Sequence, residues 1–241
     1  MFERSEAGST FERMTWRLAM EREHLAERLT HGDPLWPAQL TVAVAILLNL
    51  GLSEKVTVGP TWLLPAIEGV LLAALIAVAR GRVTQHRAGR RRFALAVIGL
   101  VSVANVISLA LLAHFLVAGG HVAGRPLIGS GALLWLNNVL LFGVWYWEMD
   151  RGGPMQRHTN PDAPIDFQFP QMENPQFALG GQRWRPGFVD YVYTSLTNAT
   201  AFSPTDTMPL TNSAKLVMGL QSTSALVTVG LVVARAVNIL S

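Results

Sequence analysis

The chain has 241 residues, half of them apolar and 15% of them charged. A soluble domain carries roughly 25% charged residues, so the balance points to a membrane class. The net charge of +3 names no polyanionic partner, and the absence of cysteine removes disulfides, thiolate catalysis and cysteine-based zinc sites.

The N-terminus, Met1-Phe2-Glu3-Arg4, runs on with mixed charges and lacks the apolar stretch of a signal peptide. The first apolar segment is therefore expected to act as an uncleaved anchor. Ser9-Thr10-Phe11-Glu12 reads as a capping box. Phe11, Met14, Leu18, Leu25 and Leu29 then form one apolar stripe, which His31-Gly32-Asp33-Pro34 ends. Residues 1–34 are expected to be a cytoplasmic amphipathic helix, packed on the membrane domain or lying in the interface. An oligomerising coiled coil is the sharper alternative.

Residues 35–148 hold four apolar segments, at 36–52, 61–79, 93–117 and 127–147. Each approaches the roughly 20 residues that cross hydrocarbon. Trp62, Trp135, Trp145, Tyr146 and Trp147 lie within them, several near ends, where such rings favour the headgroup level. A fifth segment, 214–240, is long enough to cross with tilt. The fold class is all-α: a polytopic helical membrane protein of about five transmembrane helices plus a short re-entrant helix and loop.

Residues 80–92 hold six arginines and no acid, whereas the neighbouring connections carry only Lys55 and Arg125. The positive-inside rule puts that stretch, and the N-terminus, in the cytoplasm of a bacterial inner membrane. This topology reading outweighs a nucleic-acid one. Residues 149–187 are rich in Pro, Gly and Gln and too proline-broken for one long helix. They read as a polar loop, ordered or partly a linker, in which Phe167, Phe169, Phe177 and Trp184 favour order. Gly152-Gly153-Pro154 and Gly180-Gly181 read as turns, not phosphate cradles.

The most informative pattern is in residues 188–241. A helix over 190–200 is too short to cross, Phe202-Ser203-Pro204-Thr205-Asp206 cannot continue it, and a long apolar helix follows. That is the order of a re-entrant pore loop. Tyr193-Thr194-Ser195-Leu196-Thr197, the loop ending in Asp206, then Pro209 and a helix reaching Val233-Ala234-Arg235 resemble the pore helix, filter and inner helix of two-helix potassium-channel pore domains. The filter-like residues are Thr197, Asn198, Ala199, Thr200, Ala201, Phe202, Ser203, Pro204, Thr205 and Asp206. No glycine lies between Phe188 and Lys215, and Pro204 stiffens the strip, so potassium selectivity through a glycine-containing filter is not expected.

Over residues 36–241 the chain is also similar to an uncharacterised family of bacterial inner-membrane proteins. That resemblance rests on Trp145-Tyr146-Trp147-Glu148, Asp166-Phe167, Tyr193-Thr194-Ser195, Thr205-Asp206 and Val237-Asn238, in that order. It implies a membrane location and a five-helix layout, and no established activity. With residues 80–92 inside, residues 149–206 are expected to be cytoplasmic. A potassium-channel loop enters from outside, so this one is inverted or the span count is wrong by one.

Polar residues inside the expected spans are candidates by default: Glu68, Asn105, Asn137, Asn138, Gln221, Ser222, Arg235 and Asn238. Glu68 reads as a snorkelling or paired carboxylate, or as a proton or cation ligand. The asparagines read as interhelical hydrogen-bonding groups, Arg235 as a snorkelling cation and His114 as interfacial. Gln221-Ser222-Thr223-Ser224 covers most of a helical turn, so at least one member faces protein or water. Asp190 reads as a cap at a helix start. Asp206 either attracts cations at a mouth or forms a turn.

There is no nucleotide-binding glycine loop, no His-Glu-x-x-His helix and no nucleophile elbow, and no pair among the six histidines has metal-ligand spacing. No enzymatic activity, cofactor, metal or nucleic acid is expected. The expected function is that of an ion-channel-like or transport protein with a degenerate pore loop, embedded in the lipid bilayer and passing small ions as a homo-oligomer. One pore helix and one inner helix cannot enclose a pore alone. The alternative is a structural or partner-binding subunit of a membrane complex.

Overall fold

A computed structural model describes residues 34–52, 62–80, 87–117, 124–160, 162–173, 184–200 and 206–240. The expected N-terminal helix, most of the arginine stretch before Arg87, Phe177, Gly180-Gly181 and residues 201–205 lie outside the described residues.

The chain is mostly helical. In order it forms α1 (Trp36–Leu50), α2 (Leu63–Arg80), α3 (Arg87–Val117) and α4 (Gly124–Met149). A 3-10 turn (Asp150–Gly152), α5 (Gln156–Thr159), β1 (Phe167–Gln168) and α6 (Pro170–Glu173) follow. Then come α7 (Phe188–Thr200), β2 (Met208–Pro209) and α8 (Asn212–Leu240). Every apolar segment read from the sequence is a helix. The stretches Arg91–Phe115, Ile128–Gly152 and Asn212–Val237 are long and apolar enough to cross a membrane. The first helix, at 15 residues, is shorter. α3 begins at Arg87, ahead of its apolar run, because arginine is a good helix former whose charge stays solvated at a helix end.

The long helices run up and down, with α4 at the centre. Against α3, Arg91 donates to the Glu148 carbonyl at 3.4 Å and Trp145 Nε1 to Ser102 Oγ at 2.9 Å, while Leu112 packs on Leu134. Against α8, Ala214 and Met218 join the cluster around Tyr146 and Trp147, Asn138 Nδ2 donates to Ser224 Oγ at 2.6 Å, and Val232 crowds Gly131. Both neighbours are therefore antiparallel to α4. Ala38 of α1 and Leu72 of α2 belong to that same cluster. The end that carries Arg91 thus gathers the starts of α1, α3 and α8 and the C-terminal parts of α2 and α4.

The 149–187 region is more ordered over its described residues than its composition suggests. Arg151, Gly152 and Gly153 take φ of 52°, 80° and 98°, which stops α4 and reverses the chain. The two glycines bear most of this turn, as their spacing suggested. Two short strands then pair antiparallel, Phe167 opposite Pro209 and Gln168 opposite Met208, so the architecture is helical with a small added ladder. Phe167 is buried between the rings of Tyr146, 5.0 Å away, and Tyr191, 6.4 Å away. Phe169 meets Tyr191 and Trp184. Tyr146 and Trp147 are buried within the protein, because the loop and α7 fold over the end of α4. Trp36 and Trp62 remain exposed.

Candidate functional site

The site is built around α7. Gly187 starts it, and Asp190 reaches back so that its carboxylate accepts the Gly187 N–H at 2.7 Å, the acidic half of a capping box. That is the capping role expected of Asp190. Burial pushes the Asp190 carboxyl above the usual range, and the Gly187 hydrogen bond opposes the shift.

From this start α7 runs back along α4. Phe188 sits edge-on to Trp147, Tyr191 OH donates to Asp150 Oδ2 at 2.6 Å, and Val192 lies over Gly143. Deeper, Ser195 Oγ donates to the Val139 carbonyl at 2.7 Å, and Ala199 packs on Val139 and Ala225. Trp147, which meets Phe188, and Val139, which meets Ser195 and Ala199, are eight residues apart, a descent of roughly 12 Å at helical rise. The chain is described again at Asp206. Thr207 Oγ1 lies 3.2 Å from Thr194 Oγ1, β2 pairs with β1, and Leu210 N–H donates to the Asp166 carbonyl at 2.8 Å. The segment thus enters and leaves at the same end of the bundle.

The side chains of α7 are arranged opposite to those of a helix on a soluble protein. Its inner face carries Tyr191, Thr194, Ser195 and Ala199, and Asn198 is bonded inward. Its outer face carries Val189 and Tyr193, 75% and 60% exposed, with Leu196, Thr197 and Thr200 beside them.

Three polar clusters hold the helices together. At mid-depth Gln221 is fully buried. Its Nε2 donates to Ser195 O at 2.9 Å and Ser195 Oγ at 2.7 Å, and its Oε1 accepts Asn198 Nδ2 at 2.8 Å and the Tyr146 hydroxyl. Ser222 Oγ donates to Asn198 Oδ1 at 2.9 Å. At the arginine end Asp150, also fully buried, accepts the backbone N–H of Asp166 at 3.0 Å and of Phe167 at 3.3 Å. The buried Arg157 pairs with Asp150 at 3.8 Å, donates to Tyr191 OH and the Trp147 carbonyl, and lies over both rings. Asp166 accepts Arg151 N–H at 3.1 Å and the Thr211 hydroxyl at 2.6 Å, which fixes the start of α8. The third cluster joins α1, α2 and α4: Asn49 Nδ2 donates to Glu68 Oε2 at 3.0 Å, and Asn137 Nδ2 to Asn49 Oδ1 at 2.8 Å.

The sequence-derived candidates divide accordingly. Asn198, Gln221, Ser222 and Asn138 share the central layer, and Glu68 and Asn137 share the third cluster. Thr197 and Thr200 form the last helical turn of α7, their hydroxyls bonded to the carbonyls of Tyr193 at 3.0 Å and Thr197 at 2.8 Å. Ala199 faces the core. Of the filter-like strip, Ala201, Phe202, Ser203, Pro204 and Thr205 lie outside the described residues, and Asp206 is exposed. Asn105 is buried on α3, and its Oδ1 has no partner among the described residues. Arg235 is half-buried on α8, and the Asn238 side chain lies outside the described residues. Of the four-residue polar run, Gln221 is buried, Ser222 and Ser224 are bonded inward, and Thr223 is exposed.

Asp150, Arg157, Tyr191, Asp166 and Thr211 were not singled out from sequence as a cluster. The available signal was two aspartates flanking a glycine-proline turn and followed by aromatics. Among the described residues no group of His, Asp and Glu has the arrangement of a metal site. Comparisons with protein-family models, curated proteins and solved structures return no match for this chain.

Proposed function

We propose that the chain is an inner-membrane protein of five crossings in which α7 is a half-membrane helix, and that copies assemble so that their re-entrant segments border a path for small ions. The observation that carries this reading is the course of α7. A descent of roughly 12 Å reaches close to the middle of a hydrocarbon core of roughly 30 Å. Its polar face turned inward suits lipid, as does a mainly apolar outer face on which the Thr197 and Thr200 hydroxyls bond carbonyls of α7 itself, since polar groups there need partners within protein. The C-terminal end of α7 brings the negative end of its dipole to mid-depth, which favours a cation.

The end from which α7 descends also carries Arg91 and Arg92, which supports a cytoplasmic side. The re-entrant element is then inverted relative to potassium channels, and the similarity to them is one of layout. The family resemblance to bacterial inner-membrane proteins fits the same helix order and adds no activity.

One observation favours a second reading, a non-conducting subunit of a membrane complex. Ser195, Asn198 and Gln221 direct their polar groups at one another and at α4, not at an open path. Reconstitution in liposomes separates the two. Conduction predicts cation flux that Asp206→Ala alters, and a cysteine placed at 206 that reacts from the cytoplasmic side. Correctly inserted protein without flux at any salt or pH refutes conduction, and a stoichiometric partner in pull-down then supports the subunit.

A further inference from the structure

We infer that Glu68 anchors a site for a small monovalent cation inside the helix bundle, shared by α1, α2 and α4. The site is separate from α7 and does not rest on the pore reading. Glu68 has no solvent exposure, and Asn49 and Asn137 are buried beside it. One Glu68 oxygen accepts the Asn49 amide at 3.0 Å. The other, Oε1, has no hydrogen-bond partner among the described residues. The Asn137 amide nitrogen is engaged with Asn49 at 2.8 Å, and Asn137 Oδ1 also has no donor among the described residues.

Three side chains from three helices thus close a chain of amide hydrogen bonds and leave two buried acceptor oxygens over. Among the described residues no lysine, arginine or histidine bonds Glu68. A buried carboxylate with one neutral donor lacks the compensation that such a group requires. A water molecule would serve the spare oxygens but leave the charge. A cation serves both, and hard oxygen donors select alkali and alkaline-earth ions. A single carboxylate supplies one negative charge, whereas calcium sites draw on several oxygen ligands and usually more than one carboxylate. The charge count therefore favours a monovalent ion. Because the ligands come from three helices, occupancy also fastens α1 and α2 to α4, so binding is visible as stability.

The test uses the full chain purified in detergent micelles. Equilibrium dialysis with radiolabelled sodium should give about one ion per chain, by the single carboxylate present. At fixed ionic strength and pH, replacing choline chloride by sodium chloride should raise the thermal unfolding midpoint, and lithium and potassium chlorides rank the fit of the site. Glu68→Gln keeps the shape and an oxygen for Asn49 but removes the charge, so it should abolish both effects. If that variant does not fold, Asn137→Leu serves instead and should weaken sodium binding about tenfold through one lost ligand. Absence of alkali-cation binding by the wild-type chain overturns the proposal. So does binding that survives both substitutions, or a midpoint that follows pH and ignores cations, which would assign the site to a proton. Lack of ion flux in liposomes leaves this site untouched, since binding is read in micelles.

Discussion

Replacing Asp150 by alanine should be among the most damaging single changes in the chain. The carboxylate is fully buried and receives four groups: the N–H of Asp166 at 3.0 Å, the N–H of Phe167 at 3.3 Å, the Tyr191 hydroxyl at 2.6 Å and the Arg157 guanidinium at 3.8 Å. Truncation removes the acceptor from all four and leaves a buried arginine without its counter-charge. Breaking one side of a buried pair costs about 3–5 kcal/mol. Asp150→Asn keeps the size and one acceptor oxygen, so it should cost less, about 1–3 kcal/mol. The attribution is checked with Arg157→Met. If the stranded charge is the main loss, the double variant should be more stable than the sum of the two losses implies, with a coupling of about 2 kcal/mol. Unfolding followed by tryptophan fluorescence in mixed micelles reads all four variants, since Trp147 packs against Arg157. An Asp150→Ala variant within about 1 kcal/mol of wild type, or an additive cycle, refutes the reasoning.

Gln221→Leu removes a side chain that bonds Ser195, Asn198 and Tyr146. It should cost about 2–3 kcal/mol of unfolding free energy and loosen α7, measurable as faster amide exchange over Tyr193–Thr200. At Gly143 an added Cβ would stand 3.1 Å from the Val192 backbone, so Gly143→Val should push α7 off α4 and cost about 1–3 kcal/mol in the same unfolding assay. Asp190, whose carboxyl is raised by burial, binds its proton more tightly folded than unfolded. Its contribution is therefore complete below the unfolded value and is lost as pH rises through the raised one. Asp190→Asn retains an acceptor for Gly187 and should flatten that slope. Stability that rises with pH over this window in the wild type, or the same slope in the variant, contradicts the assignment.

Local signals carried most of the architecture. The apolar runs became helices within a few residues of their expected ends, and the short helix expected over 190–200 is α7, which ends at Thr200. The clusters were less legible because their bonds are long-range. Asp150 gains its role from backbone groups sixteen and seventeen residues later, and nothing near it in sequence announces them. The aromatic run at Trp145, Tyr146 and Trp147 reads as an interfacial belt by composition. Tyr146 and Trp147 are buried because a loop of mixed polarity folds over them, which hydropathy does not register, while Trp145 is partly buried and bonds Ser102 of α3. Thr194, Ser195 and Asn198 resemble pore-lining groups by type, yet their direction depends on helix phase. That phase is set by Gly143 on α4 and Gln221 on α8.

The last helix shows why the chain as described is incomplete without its surroundings. Ala214, Met218, Gln221, Ala225 and Thr228 are its buried residues, spaced four, three, four and three apart. This is a heptad-like seam of mostly small or polar groups, and it lets α8 approach α4 closely enough that Val232 meets Gly131. The rest of the helix exposes Leu216, Leu220, Leu226, Val233 and Val237. In water such a length of apolar surface would be an aggregation liability. In hydrocarbon it is neutral, and the polar seam becomes the part that must be paired. The distribution of polarity, partnered inside and apolar outside, is the same on α7 and α8. Both helices therefore suit a non-aqueous environment, and the inward hydrogen bonds of Gln221 tie the position of one to the other. A shift of α8 along its axis would strain the bonds of Gln221 to Ser195 and Asn198, so the last helix and α7 are coupled through this side chain.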